Sequence, residues 1–392
     1  MITSAESYFN IKFTEGYNNE LQCIRLNLDP VHAVHRPFIA YLGLYLITKI
    51  YDVVYLQMVA KFAPSACAIE AVTAPDVLWG GPFQRINTVV DSVLSAIFPV
   101  NNSSAAKSSK KALPSSSPSR VLSFWYRKAL TAENNGLTPI VFIHGIGAGV
   151  ICYTEFIHQI SKLDRPVFLV EIPYVSMHMV DNVPSAAETV QEISSMLKSY
   201  SYDKAVYVGH SVGTAVCSWI MKLAPKTVGG MVLIDPICFL LHYHNVAFNF
   251  VYRIPKTLIE VCMHVMHYGA ARELYISNYI SRHFQWFEAI YFTQPNNTEE
   301  KPRLPSHLDE TSPLSNATVF LSERDGLVCS AYVYQYLLER GVDAYIMKDL
   351  EHAMFLTNTN WKSTIKKQID TIAHRADQHT SPTSDTAVTS LK

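Results

Sequence analysis

From residue 121 onward the chain alternates short apolar runs with stretches whose apolar positions recur every three to four residues. Apolar runs bounded by turn residues read as buried strands, and the longer period reads as helix. The strand-like runs are "VLSFWYR", "PIVFIHG", "PVFLVEIP", "KAVYVG", "GGMVLIDP", "ATVFLSERD" and "DAYIMKD". The helix-like stretches are "CYTEFIHQISKL", "PSAAETVQEISSMLKSY", "SVGTAVCSWIMKLA", "SAYVYQYLLERG" and "WKSTIKKQIDTIAHRA". This alternation predicts an α/β fold, a mostly parallel sheet with helices on both faces. Ligands of such sheets bind at the carboxyl ends of the strands. The alternation stops between Asp235 and Asn316. The insert, about 236–314, is helical in pattern and crowded with aromatic residues, among them Phe239, Phe248, Tyr279, Phe284 and Trp286. Its place at the active end of the sheet predicts a lid.

Ahead of residue 121 the pattern differs. Residues 1–100 read as a helical region. In "PFIAYLGLYLITKIYDVVYLQMVAKF" the run from Phe38 to Thr48 is uncharged, after which Lys49 and Asp52 interrupt. A bilayer span needs about 20 apolar residues, and each charge at mid-bilayer costs about 2.5 to 3.5 kcal/mol. A short or tilted span, an interfacial helix and a helix packed on the globular domain all fit this stretch, and membrane association is the expectation. "RINTVVDSVLSAIF" repeats its apolar residues as an amphipathic helix packed on a domain does. "NNSSAAKSSKKALPSSSPSR", residues 101–120, has too little apolar surface to fold and reads as a flexible Ser/Lys-rich linker. The catalytic unit is expected over 121–376, with a disordered tail at 377–392.

Composition narrows the function classes. The net charge of −1 gives no basic footprint for nucleic acid. Hydrophobic residues make up 49 %, enough for a large core. Seven cysteines, an odd number without C-x-x-C spacing, suggest neither a disulfide framework nor a zinc site. They point to a reducing compartment. No basic segment followed by an apolar stretch opens the chain, so a cleaved secretory signal is not expected. The expected location is membrane-associated with the catalytic domain in the cytosol, the alternative being a soluble cytoplasmic protein. The sequons at Asn101, Asn102, Asn296 and Asn316 carry no meaning there.

The chemistry lies at the strand ends. Gly209-His210-Ser211-Val212-Gly213 matches G-x-S-x-G, a sharp strand-to-helix turn that exposes a serine oxygen. A serine hydroxyl reacts only when a base takes its proton. His352, in "LEHAMFL", follows the last strand. Asp325, in "FLSERDGLV", follows the strand before it. Together they supply serine, acid and histidine in the required chain order. Asp235 is the rival acid, and Asp349 lies too close to His352 on the same strand end. His144-Gly145-Ile146-Gly147 follows the strand "PIVFI". Backbone N–H groups of Ile146 and Val212 are the natural donors for an oxyanion, with Gly145, Gly147, Gly209 and Gly213 allowing close backbone approach. "GIGAG" lacks the Lys-Ser/Thr ending of a phosphate loop. His242, His244, His264, His267 and His283 of the insert read as polar lid or surface residues, and no metal site is expected.

The ordered set "HGIG", "GHSVG", "ERDGLV" and "EHAMFL" resembles the α/β-hydrolase superfamily over 121–376. The resemblance implies an eight-strand sheet, no cofactor, and hydrolysis of an ester or related acyl group through an acyl-enzyme. "DPICFLL", "VAFNFVYR" and "ELYISNYISRHFQWFE" are similar to a group of membrane-associated hydrolase-like proteins of fungi and plants, which brings no substrate. Two positions depart from the pattern. Glu351 precedes the histidine where many relatives have Gly or Asp. Thr357 stands where acyltransferase relatives often carry the Asp of H-x-x-x-x-D. Ser211 itself argues against epoxide hydrolases and dehalogenases, which use aspartate at the elbow. The expected protein is a serine hydrolase of an apolar ester, a lipid in the first instance, with no nucleic-acid partner and an oligomeric state the sequence does not fix. An acyltransferase and a non-catalytic binding or scaffold protein on the same fold are the alternatives.

Overall fold

A computed structural model of the chain describes residues 12, 14–16, 24–65, 123–180, 182–254, 269–293 and 312–378. The linker at 101–120, the amphipathic stretch at 85–98, the middle of the insert and the tail beyond 378 lie outside the described residues.

The strand-like runs become β2 (Ser123–Arg127), β3 (Ile140–Ile143), β4 (Val167–Glu171), β5 (Ala205–His210), β6 (Val228–Ile234), β7 (Ala317–Ser322) and β8 (Asp343–Met347). An eighth strand, β1 (Ala63–Pro64), comes from the N-terminal region. The sheet order is β1-β2-β4-β3-β5-β6-β7-β8. β2 runs antiparallel to both β1 and β4, and every other pairing is parallel.

Strands β3, β4, β5 and β7 are buried at every position, which is why they read as continuous apolar runs rather than alternating ones. Successive side chains still go to opposite faces. Val141, Ile143, Phe168, Val170, Tyr207 and Leu233 enter one core, with Val190 and Ile193 of α3 (Ala186–Ser199) and Trp219 of α4 (Gly213–Leu223). Phe142, Leu169, Val206, Val208 and Val232 enter the other. There they meet Phe156 and Ile160 of α2 (Thr154–Ile160), and Ile365, Ile369 and Ile372 of α9 (Thr359–Gln378). Each such side chain contributes about 1.5 to 3 kcal/mol when fully buried. Helix α3 starts where its sequence says it should. Ser185 Oγ accepts from Glu188 N–H at 3.3 Å, and the Glu188 carboxylate accepts from Ser185 N–H at 2.8 Å.

The N-terminal segment packs on this frame. Helix α1 (Phe38–Ile50) continues as a wider π-type helix over Tyr51–Val59 and leads into β1. Tyr55 donates to the Thr154 carbonyl at 3.1 Å, and Leu56 and Phe62 are buried. The insert leaves β6 and includes three short helices, α5 (His244–Ala247), α6 (Leu274–Asn278) and α7 (Trp286–Ala289). Its Phe239, Ile276, Tyr279 and Phe284 join the core that α3 and α4 share. Helix α8 (Ser330–Leu338) covers β7 and β8.

Candidate active site

Strand β5 turns into α4 through Ser211, whose φ of +51° is left-handed, a conformation uncommon for a residue with a side chain. Its N–H is fixed by the Ile234 carbonyl at 3.1 Å. The turn is tight because α4 starts against the backbone of β3: a Cβ on Gly213 would lie 2.3 Å from the Ile143 oxygen. Gly209 is equally committed, a Cβ there falling 2.6 Å from Cys217 Sγ. The serine is thus carried on a strained elbow at the N-terminus of an 11-residue helix, where the dipole favours negative charge.

His352 sits in the loop after β8, and Asp325 in the loop after β7. His352 Nδ1–H donates to Asp325 Oδ2 at 2.7 Å, and Ser211 Oγ donates to His352 Nε2 at 2.9 Å. The other Asp325 oxygen accepts from Leu327 and Val328 N–H at 2.7 and 3.0 Å. Burial alone would lower the His352 pKa, but the Asp325 carboxylate outweighs it and lifts the ring to about 9.

The loop after β3 faces the elbow. A Cβ on Gly145 would lie 2.8 Å from His210 Nδ1 and 3.0 Å from Ser211 Cβ, so the loop touches the serine only because residue 145 is glycine. Gly147 is less constrained: a Cβ there meets only Cys152 Sγ at 3.4 Å, and its N–H bonds the Val175 carbonyl. Among the described residues no acceptor meets the N–H of Ile146 or that of Val212.

Three further features support the site; the sequence offered Asp235 only as the rival acid and gave no sign of the bonds below. Asp235, fully buried, accepts from Ser322 N–H at 2.8 Å through Oδ1 and from Ala353 N–H at 2.9 Å through Oδ2. Burial lifts its pKa to about 6. Tyr153 accepts from Gly145 N–H at 2.8 Å and donates to His210 Nδ1 at 2.6 Å. His210 is held well below the ordinary histidine range, first by burial and then by the neighbouring His352, so its ring is neutral and free to accept that bond. Behind the loop, His144 Nε2 accepts from Ile172 N–H at 2.9 Å, and Ser176 donates to the buried Glu171 carboxylate at 2.6 Å. The helix-like "CYTEF" that holds Tyr153 gives no hint that its hydroxyl reaches residues 145 and 210.

Asp235, Asp325 and His352 bring oxygen and nitrogen atoms within 4.8 Å of one another, the kind of set that can hold a metal ion. Each carboxylate is already committed to N–H donors, and His352 to Asp325 and Ser211. Asp325, His352 and Ser211 therefore read as a hydrogen-bonded relay, with Asp235 bonded to backbone N–H groups beside it. The surroundings are apolar: Val212, Leu327 and Val328 share a core with Phe239, Val246, Phe250 and Tyr279 of the insert. Asn249 of the insert donates to the Leu327 carbonyl at 3.2 Å, tying the insert to the Asp325 loop.

Sheet order, elbow and insert define an α/β-hydrolase fold. The family model described as alpha/beta hydrolase fold matches residues 138–257, from the approach to β3 through the elbow into the insert. Several solved structures are similar at low identity. A carboxylesterase from the thaumarchaeon Nitrososphaera gargenis is 13 % identical, with 66 % of this chain and 98 % of that one covered and a TM-score of 0.43. A serine hydrolase from Cycloclasticus zankles is 12 % identical, with 64 % and 95 % covered and a TM-score of 0.43. The carboxylesterase CesB of Bacillus subtilis is 14 % identical, with 62 % and 85 % covered and a TM-score of 0.38. No curated protein matches the chain in sequence.

Proposed function

We propose that the protein is a serine hydrolase of carboxylic esters that works through an acyl-enzyme. The observation that carries this is the relay from Asp325 through His352 to Ser211, with contacts of 2.7 and 2.9 Å. Ser211 Oγ attacks the ester carbonyl carbon as its proton passes to His352 Nε2. Asp325 orients the ring and stabilises the imidazolium. The N–H groups of Ile146 and Val212 bind the oxyanion, each such donor stabilising the transition state by about 2.7 to 4 kcal/mol. Collapse breaks the ester C–O bond, and His352 returns the proton to the leaving alcohol. Water, deprotonated by His352, then adds to the acyl carbon and releases the acid and Ser211.

The catalytic unit in this reading is 121–376 with the insert as its lid. The apolar residues that Val212 shares with the insert favour an apolar acyl group, a lipid ester by preference. The reading includes membrane association with the catalytic domain on the cytosolic side. Labelling with a fluorophosphonate probe tests it: wild type is expected to label and Ser211→Ala not to. Absence of labelling in wild type, or equal labelling in both, overturns it. Adding an alcohol acceptor and following the products separates hydrolysis from acyl transfer.

A further inference from the structure

Helix α1 and its π-type continuation have inverted polarity. Between residues 37 and 60 every exposed residue is apolar: Pro37, Phe38, Ile39, Ala40, Ile47, Ile50, Met58 and Val59. Ile39, Ile47, Ile50 and Met58 fall on one helical stripe, 57 to 69 % exposed at Ile39 and Ile47. The polar members turn the other way. Tyr41, Tyr45, Thr48, Lys49, Tyr51, Asp52 and Tyr55 are all buried or half-buried against the protein. A helix packed on a domain in water does the opposite. The charges that interrupt the apolar run are therefore no obstacle to lipid contact, because they do not lie on the outward face.

The helix is also held along its length. Tyr41 donates to Glu273 of the insert at 2.6 Å, Tyr55 bonds Thr154, Leu56 is fully buried, and β1 joins the sheet directly afterwards. With both ends fixed to the catalytic domain, it cannot cross a bilayer without taking the domain with it. The face continues onto the insert. Val34 pairs with Glu273, which places exposed Val34 and Phe38 beside exposed Leu274. Basic groups flank the uncharged stripe, the half-buried Arg36 at one end and the exposed Lys61 at the other. That arrangement complements hydrocarbon bounded by anionic headgroups. A two-fold pairing of copies along the stripe would set basic group against basic group, whether the helices ran parallel or antiparallel.

We infer that residues 34–61, with Leu274 of the lid, form an in-plane docking face for an anionic lipid bilayer, and that the helix does not span it. Delivery of a lipid ester from that surface to Ser211 rests on the serine-hydrolase reading; the docking does not.

The test is flotation of the full chain with vesicles of phosphatidylcholine and phosphatidylserine. Wild type is expected to float, and Ile47→Asp/Ile50→Asp to partition at least about tenfold less. Hydrolysis of a water-soluble short-chain ester should be equal in both, showing that the variant is folded. On vesicle-embedded long-chain ester the variant should be slower by a similar factor. Pro37→Cys and Lys61→Cys, each added to preformed vesicles, should both react with an impermeant maleimide at the introduced position, read by peptide mass spectrometry because Cys152 is itself exposed, whereas protection of one end alone overturns the in-plane face in favour of a span. Wild type that stays with the soluble fraction overturns docking, and self-association by light scattering would then assign the stripe to a second copy. Flotation without ester hydrolysis leaves the docking face standing and overturns only the hydrolase reading.

Discussion

Asp235 follows β6 and Asp325 follows β7, two neighbouring parallel strands, and both carboxylates reach the loop that carries His352. What they touch there differs. Asp325 spends Oδ2 on the imidazole and Oδ1 on the N–H groups of its own loop. Asp235 hydrogen-bonds to backbone only, Ser322 at the end of β7 and Ala353 immediately after the histidine, with the His210 Nε2 atom 3.8 Å from its Oδ2. Ala353 has a φ of +67°, uncommon for alanine, and the bond from its N–H to Asp235 helps to hold it there. One aspartate therefore sets the charge and tautomer of His352. The other clamps together the two loops that bring Asp325 and His352 into contact. Two residues of the same type, one directly after β6 and the other three residues beyond β7, divide orientation of the ring from orientation of the backbone.

The widest test of this division starts at the serine both aspartates serve. Ser211→Ala is expected to lower kcat on a soluble ester by about 10⁵- to 10⁶-fold, as loss of the nucleophile does in serine enzymes. Asp325→Asn, which keeps the shape but offers the wrong tautomer to His352, is expected to lower kcat by about 10⁴-fold with little change in melting temperature. Asp235→Asn should show the reverse balance. It loses one of two buried bonds to backbone N–H, so stability falls by about 1 to 3 kcal/mol in denaturant unfolding. Its kcat should fall only about 10- to 100-fold, through loop placement. If Asp235→Asn were the more damaging to kcat while leaving stability intact, the two roles would have to be exchanged.

Local patterns made the strands, the elbow and the candidate triad readable, and the rest is non-local. Buried parallel strands are continuous apolar runs, and Gly209 and Gly213 mark a turn whose tightness is set by contacts of 2.6 and 2.3 Å. Ser211, Asp325 and His352 each follow such a run, which singles them out among the chain's serines, acids and histidines. Chain order admits both Asp325 and Asp235, and which oxygen faces the imidazole depends on loops after three different strands. β1 is two residues long, Ala63 and Pro64, and has no period to detect. Tyr153 lies eight residues from Gly145 and 57 from His210, and nothing in its neighbourhood announces either bond. In α1 and its π-type continuation the spacing of Tyr41, Tyr45, Lys49, Asp52 and Leu56 defines a stripe, but only packing tells which stripe faces the protein. Helix α9 shows the contrast: Ile365, Ile369 and Ile372 face inward there, and Lys366, Lys367 and Asp370 do not enter the core.

The pH dependence separates the two aspartates by a smaller effect. His352 must be neutral at Nε2 to accept the Ser211 proton, so kcat/KM rises with pH through the His352 pKa, which lies at about 9. Burial pulls that value down, whereas the Asp325 carboxylate, its hydrogen bond and, less strongly, the Asp235 carboxylate push it up. Removing either charge makes the imidazolium less favourable and moves the ascending limb to lower pH. Asp325→Asn removes the larger charge interaction and a hydrogen bond, and is expected to move the limb down by about one unit or more. Asp235→Asn removes only the weaker interaction, and only above about pH 6 where Asp235 is ionised, so its limb should move by less than about one unit in the same direction. Profiles of kcat/KM on the soluble ester, measured for wild type and both variants, read the difference directly. A larger shift in Asp235→Asn than in Asp325→Asn would mean that the clamp, rather than the ring's partner, sets the proton affinity of the base.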